Sequence, residues 1–251
     1  MNSFGQSVAI EYEYSFLKFI SCRTPLTLYC LKRANHGLID FSLYFFHRDW
    51  QVKAMQKTIF YTPAISHAMH YIARIILFLL GWTYQTNSQV VPKYVVIAAP
   101  HTSNWDFFFT LLLAFALKLK VYAMGKKSLT EGPLGPVMLW LGIIPIDRSR
   151  SNNVVAQTIE TFNQQDNLVM IIPPSGTRDK VQYWKTGFYH IAHGAGVPIA
   201  LGFIDYKRKC GGIGPFVTPT GDIEKDMVEI RAYYADITGK YPEKQIDFKA
   251  L

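Results

Sequence analysis

The sequence predicts an α/β domain with a largely parallel central sheet flanked by helices, preceded by an N-terminal apolar membrane-associated helix. Three observations carry that expectation. From Tyr94 onward, apolar runs of strand length alternate with stretches of helical period, the pattern of strand–helix–strand units. The turns between them concentrate glycine, proline and polar residues. Ahead of them, Ile59 to Trp82 (IFYTPAISHAMHYIARIILFLLGW) is the most apolar long segment. A spanning helix needs about 20 predominantly apolar residues, and His67, His70 and Arg74 interrupt the run.

Taken in order, residues 1–57 hold neither a helical nor an alternating period for long. Three readings stay open for them: an accessory helical layer, a poorly ordered stretch, or a native start near Met55. Residues 58–90 form the membrane-associated segment, with a helix starting after Pro63 that lies in the membrane interface or packs on the domain as an ordinary core helix. In the interfacial case Arg74 snorkels and Trp82 sits at the boundary. Residues 91–251 form the α/β domain. Tyr94–Ala99 (YVVIAA) reads as its first strand, and Phe107–Leu119 as a helix apolar on most of its surface. Lys120–Met124, Ile143–Ile146, Leu168–Ile172 and Ile199–Ile204 read as four further strands. Helical patterns cover Leu134–Leu141, Asn152–Asn163 (Val154, Val155, Ile159 and Phe162 inward), Gly187–His193 and Asp222–Thr238.

The net charge of +8 and a pI near 9.3 point to an anionic partner. Lys and Arg are scattered, without a zinc finger, basic helix or aromatic RNA-binding signature. Membrane lipid or phosphate is therefore favoured over nucleic acid. Cys22, Cys30 and Cys210 lack the spacing of a disulfide framework or a metal site, so no metal is expected and a reducing compartment is the default.

The chemistry centres on His101-Thr-Ser-Asn-Trp-Asp106. A strand delivers a histidine to a turn, and an aspartate follows just inside the next helix. The aspartate can accept the imidazole's second N–H and fix its tautomer, leaving the other nitrogen to take a proton from a hydroxyl. The spacing alone is common by chance; its surroundings strengthen it. In open α/β sheets, sites gather at the carboxyl ends of the strands. That rule brings His101 and Asp106, Asp147-Arg148 and Ser175-Gly-Thr-Arg178 into one neighbourhood. Arg148 and Arg178 could clamp a phosphate or carboxylate, unless they simply pair with Asp147 and Asp179. Gly176 lets the backbone approach a ligand closely. Lys185 is a weaker candidate for the same anion site, and Lys126 and Lys127 read as a solvated loop attracting anionic headgroups. A serine hydrolase using Ser103 or Ser175 is disfavoured because no Gly-x-Ser-x-Gly elbow is present.

His101-x4-Asp106, Gly142-Ile-Ile-Pro-Ile-Asp-Arg148, Pro174-Ser-Gly-Thr-Arg178 and Val197-Pro-Ile199 together resemble, in order and spacing, the four blocks of the glycerolipid acyltransferases, the group that includes 1-acylglycerol-3-phosphate acyltransferase. The resemblance implies an O-acyltransferase on the cytoplasmic face of the membrane. It would move a fatty acyl group from acyl-CoA or acyl carrier protein, as co-substrate and without a cofactor, to a hydroxyl of a lysophospholipid. It makes His101 the general base and Asp106 its orienting partner. Arg148, Ser175, Gly176, Thr177 and Arg178 would hold the acceptor's glycerol phosphate, and Pro198 would shape the acyl site. One departure stands out: the third block of the family usually reads Glu-Gly-Thr-Arg, and here Ser175 occupies the glutamate's place. Serine is shorter and uncharged and cannot balance a nearby cation. The acceptor then differs from lysophosphatidate, the activity is weakened or lost in favour of lipid binding or regulation, or a water replaces the carboxylate.

Overall fold

The computed structural model describes residues 58–87, 91–146 and 151–248. The N-terminal extension 1–57 and Arg148 lie outside the described residues. What is described is a seven-stranded sheet between two helical layers.

Helix α1 spans Pro63–Leu79 and begins with proline in its first turn, where the missing N–H costs nothing. It ends at Gly81, whose φ of +70° suits glycine. The Gly81 and Trp82 N–H groups donate back to Phe78 and Leu77, closing the helix end. Strand β1 is Thr83–Gln85 and β2 is Lys93–Ala99. Helix α2 (Trp105–Ala116) leads to β3 (Val121–Lys126), and the short helices α3 (Ser128–Glu131) and α4 (Gly135–Trp140) lead to β4 (Ile143–Ile146). Then come α5 (Ser151–Gln164), β5 (Leu168–Ile172), α6 (Gly187–Ala195), β6 (Ile199–Asp205), β7 (Cys210–Val217) and α7 (Ile223–Tyr234).

The strand order is β1-β7-β6-β2-β5-β3-β4. The five strands from β6 to β4 are mutually parallel, β7 runs antiparallel to β6, and β1 pairs parallel with β7. All five expected strands are present, as are the four helical patterns of the domain. Strands β1 and β7 go beyond the sequence reading. The β7 sequence, CGGIGPFV, carries three glycines and a proline, all poor strand formers. Pro215 is accommodated beside a shift in the β6–β7 register between Ala200 and Gly202.

Alternation along β2 divides the core. Val95, Ile97 and Ala99 face one layer with Phe162 of α5, Phe188, Tyr189 and Ile191 of α6, and Met227 and Ile230 of α7. Tyr94 and Val96 face the other, with Ala73 and Leu77 of α1 and Phe109, Leu112, Leu113 and Phe115 of α2. Helix α1 therefore shares a core with α2. Phe60 stacks on Phe115 at 4.8 Å, and buried His70 donates from Nδ1 to the Phe115 carbonyl at 3.0 Å. That bond explains one of the polar interruptions in the apolar run: His70 caps a carbonyl near the end of α2. The opposite face of α1 is apolar and open, with Tyr71, Ile72, Ile75 and Leu79 exposed and Phe78 81% exposed. Among the described residues no helix is long and apolar enough to cross a membrane.

Candidate active site

Asp106 sits in the first turn of α2, where unpaired backbone N–H groups and the positive end of the helix dipole favour a carboxylate. It is 3% exposed and fully engaged. Oδ2 accepts from the Thr102 N–H at 2.7 Å and the Ser103 N–H at 2.8 Å, and lies 3.2 Å from Nδ1 of His101. Oδ1 accepts from the Tyr206 hydroxyl at 2.7 Å. Burial pushes the Asp106 carboxyl up, but the bonds from His101, Tyr206, Ser103 and Thr102 outweigh it and hold the group below its ordinary range. Asp106 is therefore an anion aimed at one nitrogen of an imidazole. A carboxylate can only accept, so the His101 nitrogen facing it carries a proton, and Nε2 is the nitrogen turned away from Asp106.

His101 lies two residues beyond β2, and its side chain is 24% exposed. It opens on a cavity of about 700 Å³. The cavity's polar end lies at the carboxyl ends of the strands, where His101 after β2, Gly176, Thr177 and Arg178 after β5, and Lys126 at the end of β3 all contribute. From there it runs between α2 and the sheet, lined by Leu113, Ala114, Leu117, Val121, Ala123, Ile143 and Ile171.

The third polar turn is built around Gly176, at φ +66°, a conformation glycine adopts without strain. Its N–H donates to Pro173. Ser175 is absent from the cavity wall, and its hydroxyl donates to the Thr177 carbonyl at 2.6 Å. Asp179 faces Lys244 at 3.8 Å, while Arg178 joins the cavity wall. The Lys185 side chain lies against Gly176: a methyl group placed there would sit 3.6 Å from its Nζ.

The structure thus brings His101, Asp106, Gly176, Thr177 and Arg178 to one cavity and leaves Ser175, Pro198 and Ser103 off its wall. Pro198 immediately precedes β6, at the strand's amino end. The pairing of Val95 with Ile199 and Ala99 with Phe203 puts a strand's length between Pro198 and the His101 turn, and it does not line the cavity. Its carbonyl accepts from the Val95 N–H. Ser103 is buried, and its hydroxyl oxygen accepts from the Trp105 N–H at 3.1 Å, a local cap rather than an exposed nucleophile. Lys126, read as part of a solvated loop, lines the cavity, whereas its neighbour Lys127 pairs with Glu131 at 3.3 Å.

Tyr206 escaped the sequence reading. It lies 100 residues from Asp106, and its one signal is its position immediately after a strand whose carboxyl end reaches the site. Among the described residues no group of three His, Cys, Asp or Glu side chains forms a metal-ligand set.

The structure thus places a His-x4-Asp pair at the end of the central strand of a parallel sheet, opening on a mostly apolar cavity. Residues 83–200 match the family model described as Acyltransferase. It is 32% identical over 106 residues to the 1-acyl-sn-glycerol-3-phosphate acyltransferase of Haemophilus influenzae, a match covering 39% of this chain and 42% of that protein. Among solved structures it is similar to the 1-acyl-sn-glycerophosphate (LPA) acyltransferase PlsC of Thermotoga maritima, with a TM-score of 0.48 and 17% identity over 85% of this chain and 97% of that one.

Proposed function

We propose that this chain is a membrane-associated O-acyltransferase that moves a fatty acyl group from acyl-CoA or acyl carrier protein to a hydroxyl of a lysophospholipid such as 1-acylglycerol-3-phosphate. The observation that carries this reading is a single cavity with the His101–Asp106 pair at its polar end and an aliphatic slot beneath α2. The acceptor hydroxyl, a poor nucleophile near neutral pH, gives its proton to His101 Nε2 as its oxygen attacks the thioester carbonyl. The tetrahedral intermediate collapses with loss of the thiolate, which the imidazolium protonates. The products are an ester and a free thiol, and His101 is neutral again. Asp106 holds the imidazole orientation and stabilises its positive charge between the two proton transfers. Arg178, with Lys126 at the same end, attracts the acceptor's phosphate. The acyl chain occupies the slot between α2 and the sheet. The open face of α1, with Phe78 and Leu79 outermost, lies in the interface of the cytoplasmic leaflet and delivers the acceptor.

A second reading has its own observation. Ser175 is turned to the Thr177 carbonyl instead of the cavity, so the cationic end lacks the carboxylate usual in the family. A chain disabled in this way would bind lipid and turn over little or none. One assay separates the two: purified protein in detergent with palmitoyl-CoA and a panel of lysolipids, followed by thiol release. Acceptor-dependent release by wild type falls about 10²- to 10⁴-fold in His101→Ala, the range for loss of a general base, and the preferred lysolipid names the acceptor. Silence from wild type with every acceptor, with activity appearing in Ser175→Glu, would replace this reading with the lipid-binding one.

A further inference from the structure

We infer that Tyr206 is a positioning residue of the active site, the outer member of a chain running His101–Asp106–Tyr206. This rests on the acyl-transfer reading for its kinetic consequence, though not for its structural one. The Tyr206 hydroxyl donates to Asp106 Oδ1 at 2.7 Å, and this oxygen is the one that does not face His101. The two backbone N–H groups of Thr102 and Ser103 and the imidazole all converge on Oδ2. Without a donor on Oδ1, the carboxylate is held at one oxygen and can rotate about its Cβ–Cγ bond, carrying Oδ2 out of line with His101. With Tyr206 in place both oxygens are fixed, and the carboxylate plane with them.

Tyr206 is itself held on three sides. Its N–H donates to the Thr238 carbonyl at 2.9 Å. Its ring stands edge-on to Trp82 at 5.2 Å and to Phe109 at 5.6 Å, and those two rings stack on each other at 4.1 Å. Phe109 is one helical turn beyond Asp106 on α2, and Trp82 closes the end of α1. The phenol is thus locked against the same helix that carries the aspartate, so the donor and acceptor cannot drift apart independently. Burial first, then the hydrogen bond to Asp106 and that carboxylate's charge, push the Tyr206 hydroxyl above the ordinary phenol range, so it remains a donor at any working pH. Side chains that orient the partner of a functional histidine change rate by roughly 10- to 100-fold in metal sites, and the same scale is expected here.

The test uses Tyr206→Phe, which keeps the ring and removes only the donor. In histidine-¹⁵N-labelled protein, with the His101 signals assigned by His101→Gln, wild type shows a single ring tautomer protonated on Nδ1. Tyr206→Phe mixes the two tautomers or exchange-broadens the signal. In the thiol-release assay, Tyr206→Phe lowers kcat about 10-fold or more, with KM for donor and acceptor within about twofold. An unaltered His101 signal overturns the inference, whatever the kinetics. So does a loss that appears as lower Tm with unchanged kcat per folded molecule. If wild type releases no thiol with any acceptor, the acyl-transfer reading fails, and the ring spectrum alone still decides whether Tyr206 positions His101.

Discussion

Two buried carboxylates in this molecule are built on nearly the same plan. Asp106 opens α2 and Asp226 opens α7; they are 3% and 6% exposed. Each receives a tyrosine hydroxyl at 2.7 Å, Tyr206 in one case and Tyr189 in the other. Each also accepts backbone N–H bonds: Asp106 from Thr102 and Ser103, Asp226 from Thr220. Burial pushes both carboxyls up, and their hydrogen bonds bring both below the ordinary range. The difference is one partner. Asp226 spends its remaining capacity on the Thr220 hydroxyl at 2.9 Å, which in turn accepts only from the local Asp222 N–H at 3.3 Å. Asp106 faces His101, and His101 faces the cavity. A helix-opening carboxylate is thus a staple by default, and becomes chemical equipment only when one of its donors has a second face turned toward a ligand.

The sharpest way to break this comparison is to remove both carboxylates in turn. Asp226→Ala strands the buried Tyr189 donor and takes the acceptor from Thr220 at the surface, and is expected to destabilise by about 3 kcal/mol, the upper end of the about 1–3 kcal/mol that an unsatisfied buried polar group costs. Its kcat per folded molecule stays at wild type. Asp106→Asn is expected to lower kcat by roughly 10²- to 10⁴-fold with a smaller loss in the urea midpoint. Equal losses of stability and rate in both variants would mean the two sites are not functionally distinct.

A gentler contrast comes from pH. Both folded carboxyls are depressed, so their contribution to stability is complete above the ordinary unfolded value of about 4 and is lost as pH falls through the folded values. Urea midpoints of wild type should therefore drop steeply on acidification below about pH 4, and less steeply in Asp226→Asn, which no longer titrates there. A slope unchanged by that substitution would show that Asp226 is not depressed. The smallest effect is expected of Tyr189→Phe. It removes one donor from Asp226 and the acceptor of the Gly221 N–H, and should cost about 1–3 kcal/mol without altering kcat, in contrast to the Tyr206→Phe variant.

Much of this molecule was legible along the chain because its information is local. Alternation and apolar runs marked the five parallel strands, and the turn composition marked where they end. Once the strand ends are known, the carboxyl-end rule places His101, Asp106 and Gly176 to Arg178 near one another. Pro198 shows the limit of reading by motif: it belongs to the same sequence pattern, yet it precedes its strand while the others follow theirs, which sends it to the opposite edge of the sheet. Strand β7 was hidden because glycine and proline suppress strand propensity. They are there to meet tertiary demands, with Gly212 at φ +143° passing so close to the Gln85 backbone that a side chain would collide. The open face of α1 shows the same limit from the other side. Its apolar residues were plain to read, but which of them pack on α2 and which remain exposed was settled only by docking.

By itself, then, the sequence determined the α/β class, the parallel core strands and the histidine–aspartate pair, because each depends on residues within a turn or a strand of one another. Only the tertiary structure decided the partner of the second Asp106 oxygen, the course of the cavity beneath α2 and the withdrawal of Ser175 from its wall. Those depend on distances between residues far apart in the chain, and such distances are fixed by how helices settle on a sheet.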